Sequence, residues 1–129
     1  ISSVLLSWIL SQIIKVFTYY KSTKKFDIKK IYYPGGMPSS HTAAVVALTL
    51  STYFDQKGIT TLFIVTLFIA AYVIQDAVYI RRKSGEHAKA LNKILKKHHF
   101  EEILGHTPTQ GLVGAIIGIL IAIGVHLLW

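Results

Sequence analysis

Residues 59–80 form a run of 22 amino acids with one formal charge, Asp76. At 1.5 Å per residue a helix of that length covers about 33 Å, enough to cross a hydrocarbon layer roughly 30 Å thick. Three further apolar runs, at residues 4–20, 43–54 and 111–129, compete for burial in the same short chain. One small water-soluble core cannot hold all four, and a membrane can. The composition agrees: 52% of the 129 residues are hydrophobic and 16% charged, against about a quarter charged in ordinary soluble domains. Mean hydropathy is +0.48. These values exclude a disordered basic tail. They also argue against nucleic acid as a partner in spite of the net charge of +8, because the basic residues are threaded between runs of membrane length. Cysteine is absent, which excludes disulfides, thiol nucleophiles and cysteine-ligated metals. The length allows one domain, residues 1–129.

The fold expected is all-α: a multi-pass transmembrane bundle of about four spans with one interfacial amphipathic helix. The first run is interrupted by Ser7, Ser11, Gln12 and Lys15. The second is short for a span and is announced by Pro38, which suits a helix start, and by Ser39 and Ser40, which can cap one. The last carries no formal charge and ends at Trp129, a residue suited to the headgroup level. Ile1 opens within apolar sequence, without the basic region and cleavage site of a signal peptide, and reads as part of a mature helix. Between residues 84 and 100, Ala88, Leu91, Ile94 and Leu95 recur at helical spacing while Lys89, Lys93, Lys96 and Lys97 occupy other faces, the pattern of a helix lying in the interface.

Charge then orients the bundle. Residues 21–30 carry five lysines against Asp27, and residues 81–102 carry seven basic residues against three acids, so each segment has a net charge of +4. The positive-inside rule puts both in the cytoplasm and both termini outside. For most of these lysines, orientation and attraction to anionic lipid are explanation enough.

That topology collects the reactive side chains at one membrane face: Lys15 late in the first run, His41 at the start of the second, Asp76, Arg81 and Arg82 at the end of the third, and His106 just before the fourth. Helix N-termini attract anions, and here two of them carry a histidine and stand beside fixed cations. This is the composition of a phosphoryl site, with cations and backbone N–H groups for the oxygens, one histidine as nucleophile and one as proton donor. Taken alone, Ser39, Ser40 and His41 are equally well read as a helix cap with an interfacial histidine. Gln110 lies one turn after His106, within reach of its ring. Asp76, an acid inside an apolar span, is a functional candidate by default, with an ion pair to Arg81, Arg82 or Lys15 as the structural alternative. Gln12 and Lys15 form a polar pair on one face of the first span. Gly114 and Gly118 have the spacing of close helix packing. His87, His98 and His99 lack zinc-site spacing and read as a solvated face, and His126 reads as an interface anchor.

Pro38-Ser39-Ser40-His41 resembles the P-S-G-H motif of the type 2 phosphatidic acid phosphatase superfamily, and residues 106–118 resemble its third motif, a histidine followed by a glycine-spaced helix. The stretch Gly35-Gly36-Met37-Pro38-Ser39-Ser40-His41-Thr42-Ala43, with Asp76, Arg81-Arg82, Gly85-Glu86-His87-Ala88, Leu91-Asn92 and Leu104-Gly105-His106-Thr107-Pro108, is more narrowly similar to the divergent branch of that superfamily, related to acid phosphatases and vanadium haloperoxidases. The resemblance extends from about Gln12 to Gly118. It implies a metal-independent membrane phosphatase without cofactors, in which His106 matches the nucleophile that becomes a phosphohistidine, His41 the acid that protonates the leaving oxygen, and Ser39 and Ser40 the phosphate-binding turn. Gln110 stands where the superfamily has an orienting Asp, with Glu102 or Asp76 as possible replacements. Phe100 stands where it has an Arg, and no K-x6-R-P segment is present, which leaves Lys15, Arg81 and Arg82 to supply the cations. The expected partners are a lipid phosphate and anionic lipids at the basic face. A second protomer, with Gly114 and Gly118 as a candidate surface, would help to enclose the site. A binder or transporter that no longer hydrolyses lipid phosphates is the competing expectation.

Overall fold

The computed structural model describes residues 1–24, 36–102 and 105–128. Residues 25–30 of the first basic segment, Gly35, Leu104 and Trp129 lie outside them. The described chain is helical and free of strands: α1 (Ser2–Thr23), α2 (Ser40–Asp55), α3 (Thr61–Gln75), a π-helical turn (Asp76–Ile80), α4 (Arg81–Leu95) and α5 (Pro108–Leu128).

The arrangement of side chains is that of a protein solvated by lipid. Its interior is small and polar. Ala43 and Ala47 are completely buried, as are Ser7, Ser11, Ser39 and Thr42, while Phe68 and Leu120 are 77% and 64% exposed. Apolar side chains lose nothing by facing lipid tails, so helix association rests on close backbone approach and on hydrogen bonds between helices. Both are present. Glycines on α5 lie directly on α2: a Cβ on Gly114 would stand 2.4 Å from the Ser39 carbonyl oxygen, and one on Gly118 2.4 Å from that of Ala43. The Ser3 and Ser51 hydroxyls bond α1 to α2, and Thr49 Oγ1 donates to the Thr66 carbonyl 3.1 Å away, tying α2 to α3. Gly114 and Gly118 are therefore consumed inside the bundle, and the expectation that they offer a surface to a second protomer is corrected.

Helix α2 sits at the centre, packed on α1, α3 and α5. Its 16 residues cover about 24 Å. Among the described residues, three helices are long and apolar enough to cross a membrane by length and composition: α1, the continuous helix Thr61–Leu95, and α5. The amphipathic stretch is helical, as expected, but it begins at Arg81 and continues α3 through the π turn without a loop, in a single helix of 35 residues. It ends earlier than its periodicity suggests, at Leu95, where Lys96 adopts a left-handed conformation (φ 50°) and donates its N–H to the Asn92 carbonyl.

Buried Asn92 explains that stop. Its Oδ1 accepts from the N–H groups of His99 and Phe100, each at 3.0 Å, and its Nδ2 donates to the Phe100 carbonyl at 2.8 Å and to Glu102 Oε1 at 3.0 Å. One side chain thus folds the segment after α4 back onto the helix.

Candidate active site

At the opposite end of the bundle from the Phe54–His126 ring stack (centroids 4.3 Å apart), the end of α1, the start of α2, the π turn and the start of α5 meet. Ser39 caps α2, its hydroxyl accepting from Thr42 N at 3.4 Å and from Thr42 Oγ1 at 2.9 Å. Its own N–H donates to the Gln110 carbonyl at 3.2 Å, so the N-termini of α2 and α5 are joined directly. Thr18 Oγ1 donates to the Met37 carbonyl at 2.7 Å, which fastens the turn before α2 to α1. The buried stem of Lys15 runs past Gly36, where a Cβ would stand 3.6 Å from Lys15 Cγ.

His106 is 5% exposed. Its N–H donates to the Ala77 carbonyl at 2.9 Å, and its Nδ1 lies 3.3 Å from Gln110 Oε1. That oxygen also accepts from Thr107 N–H at 3.0 Å, while Gln110 N–H donates to Thr107 Oγ1 at 3.3 Å. Thr107 and Gln110 thus form a reciprocal capping box at the start of α5. The box has a chemical consequence. A backbone N–H can only donate, so the atom it meets is the amide oxygen, and the histidine nitrogen sharing that oxygen must carry its proton. In the neutral ring the lone pair is then on Nε2. Burial holds the His106 pKa below the ordinary value of 6.5, helped by the charges of Lys15 and His41 and opposed by the bonds to Gln110 and to the Gly36 backbone. At neutral pH the ring is an uncharged base.

His41 stands exposed on the first turn of α2, within the field of Arg81, Lys15 and Asp76. Histidines 41 and 106, Lys15, Arg81, Ser39 and Ser40 are therefore gathered at one end. Other expected roles are redistributed. Asp76 bonds Arg81 Nε at 2.6 Å, which is the structural alternative for this acid. Arg82 faces Glu86 at 3.5 Å. Glu102 is held by Asn92 and lies 3.7 Å from His98, so among the described residues it is Gln110, and neither Glu102 nor Asp76, that bonds the His106 ring. Gln12 is buried, and neither its Oε1 nor the Ser11 hydroxyl has a hydrogen-bond partner among the described residues. Three participants escape sequence reasoning. The Thr-x-x-Gln spacing was a legible capping signal, whereas the Ala77 carbonyl and the tight seat of Gly105 carry none.

A helical bundle with helices of membrane-spanning length, and with two histidines and cationic side chains at one end, defines a class, the integral-membrane helical bundles. Within it the assignment is specific: the chain matches the Divergent PAP2 family over residues 1–121 and belongs to it. It is 31% identical over 135 residues to the uncharacterized membrane protein YuiD of Bacillus subtilis, an alignment covering 89% of this chain and 85% of the relative. No solved structure matches it.

Proposed function

We propose that this protein is a phosphohydrolase of lipid phosphates or pyrophosphates that works through a phosphohistidine at His106. The carrying observation is the capping box, which commits Nδ1–H of a buried neutral imidazole to Gln110 and leaves the lone pair on Nε2. In the first step Nε2 attacks phosphorus, the bond from phosphorus to the leaving oxygen breaks, and protonated His41 gives that oxygen its proton. In the second, water attacks the phosphohistidine, His41 takes the water proton, and the N–P bond breaks to release inorganic phosphate. Lys15, Arg81 and the N–H group at Ser40 offset the charge of the phosphoryl oxygens, while Ser39, whose own N–H is held by the Gln110 carbonyl, shapes the turn. The basic residues orient this end toward the cytoplasm and draw anionic lipid to it.

Phosphate release from phosphatidate, phosphatidylglycerol phosphate and polyprenyl phosphates in nanodiscs, with vanadate as competitor, tests the reading. His106→Ala is expected to abolish release, and retention of the wild-type rate refutes the mechanism. His41→Ala should lose far more activity on alkyl phosphates than on nitrophenyl phosphate, whose leaving group needs no acid; equal losses remove His41 from that role. The neutral Gln110 in place of a carboxylate, and Arg81 bound to Asp76, favour a second reading, a lipid-phosphate binder that does not hydrolyse. Lipid that co-purifies intact, with no phosphate released by the wild type, selects it.

A further inference from the structure

The π turn at Asp76–Ile80 interrupts an otherwise continuous helix just where the chain carrying His106 crosses it. In an α-helix each N–H bonds the carbonyl four residues back, and residues five apart point about 140° away from each other. Here the Arg81 N–H reaches the Asp76 carbonyl, five residues back. Two consequences are visible. The Ala77 carbonyl, which an α-helix would assign to Arg81, accepts instead from His106 N–H at 2.9 Å. Asp76 and Arg81, a pair that α-helical geometry would separate, come together at 2.6 Å. The approach of the two segments is close enough to exclude any side chain at residue 105, since a Cβ on Gly105 would stand 2.7 Å from Ala77 O, 2.7 Å from Arg82 N and 2.9 Å from Arg81 Cβ. Two of those three atoms are backbone, with no rotamer to yield.

We propose that the π turn is a positioning device for His106: it turns the Ala77 carbonyl outward as the anchor of the His106 amide, with Gly105 as the positioning residue that permits the contact. The same turn sets Arg81 beside the site, so nucleophile and cation are registered by one backbone feature. π turns inside α-helices recur at functional sites, and this one has a specific task. The proposal deepens the phosphohistidine reading and rests on it for its catalytic consequence.

The test is Gly105→Ala in the full chain in nanodiscs, with Gly124→Ala as control, since a Cβ on Gly124 meets nothing within 4 Å. Two readouts are taken. In the first, a nucleophile displaced by about 1 Å lowers kcat on the order of 100-fold, while KM and inhibition by inorganic phosphate change far less, because Lys15 on α1 and the start of α2 stay in place and only Arg81 shares the disturbed turn. The second is amide hydrogen exchange at His106, protected in the wild type and in Gly124→Ala and released in Gly105→Ala. An unchanged kcat with a protected amide overturns the proposal, as does a parallel loss of kcat and phosphate inhibition that Gly124→Ala reproduces. If the wild type releases no phosphate, the hydrolase reading fails, and the exchange readout still decides the positioning. If Gly105→Ala does not fold, the wild type decides: an amide at His106 that exchanges at the rate of free loop overturns the proposal.

Discussion

Replacing Gln110 with Glu exchanges one oxygen acceptor for another while adding a charge beside the proposed nucleophile. A carboxylate at the present 3.3 Å from His106 Nδ1 attracts a unit positive charge with about 5 kcal/mol at an effective dielectric constant of 20. That sets a ceiling, and opposite charges at this range raise an imidazole pKa by about 1–3 in practice. Wild-type His106 is held below 6.5 by burial, so the substitution drives it back upward. Since only the neutral ring attacks phosphorus, the acid limb of kcat/KM against pH, which reports the free enzyme, moves up by the same amount. Above that limb the variant is as fast as the wild type or faster, because the carboxylate stabilises the more basic nucleophile. The capping box survives, and a negative charge in the first turn of α5 adds about 0.3–1 kcal/mol of stability. The assay is phosphate release between pH 5 and 9, paired with a nitrogen NMR titration of His106. An acid limb that stays in place or moves down refutes the assignment of Gln110 to the His106 ring and the tautomer drawn from it.

Other outcomes follow from the same geometry. In acid the unfolded chain takes a proton at His106 that the folded ring resists, so its contribution to stability is complete above pH 6.5 and is lost as pH falls below it; thermal midpoints in detergent should decline over that window, less steeply in His106→Asn. Gly114→Ala and Gly118→Ala put a methyl 2.4 Å from an α2 carbonyl oxygen and should cost about 1–3 kcal/mol, whereas Gly124→Ala should stabilise by up to about 1 kcal/mol through helix propensity. Equal thermal midpoints for Gly114→Ala and Gly124→Ala would show that α5 does not lie on α2 as described.

Helical structure was legible in the apolar runs because lipid demands a self-satisfied backbone of fixed length, and the motifs placed Ser39, His41 and His106 at helix starts without knowledge of their neighbours. The partner choices were less legible. Asp76 could have met Lys15, Arg81 or Arg82, and only the π turn selects Arg81. The partner of the His106 ring could have been Glu102, but Asn92 draws that carboxylate away and the capping box brings Gln110 in. Gly114 and Gly118 announced close packing without saying whether the other surface belonged to a second copy or to α2.

Sequence alone pointed to a membrane protein built of helices, with two histidines and several cations toward one end of the bundle, because period, length and charge sign are properties of residue order. The tertiary structure decided which groups touch. A carbonyl released by one extra residue in a helical turn, and a glycine seat without room for a methyl, are contacts between segments about thirty residues apart, and no local pattern encodes such a distance.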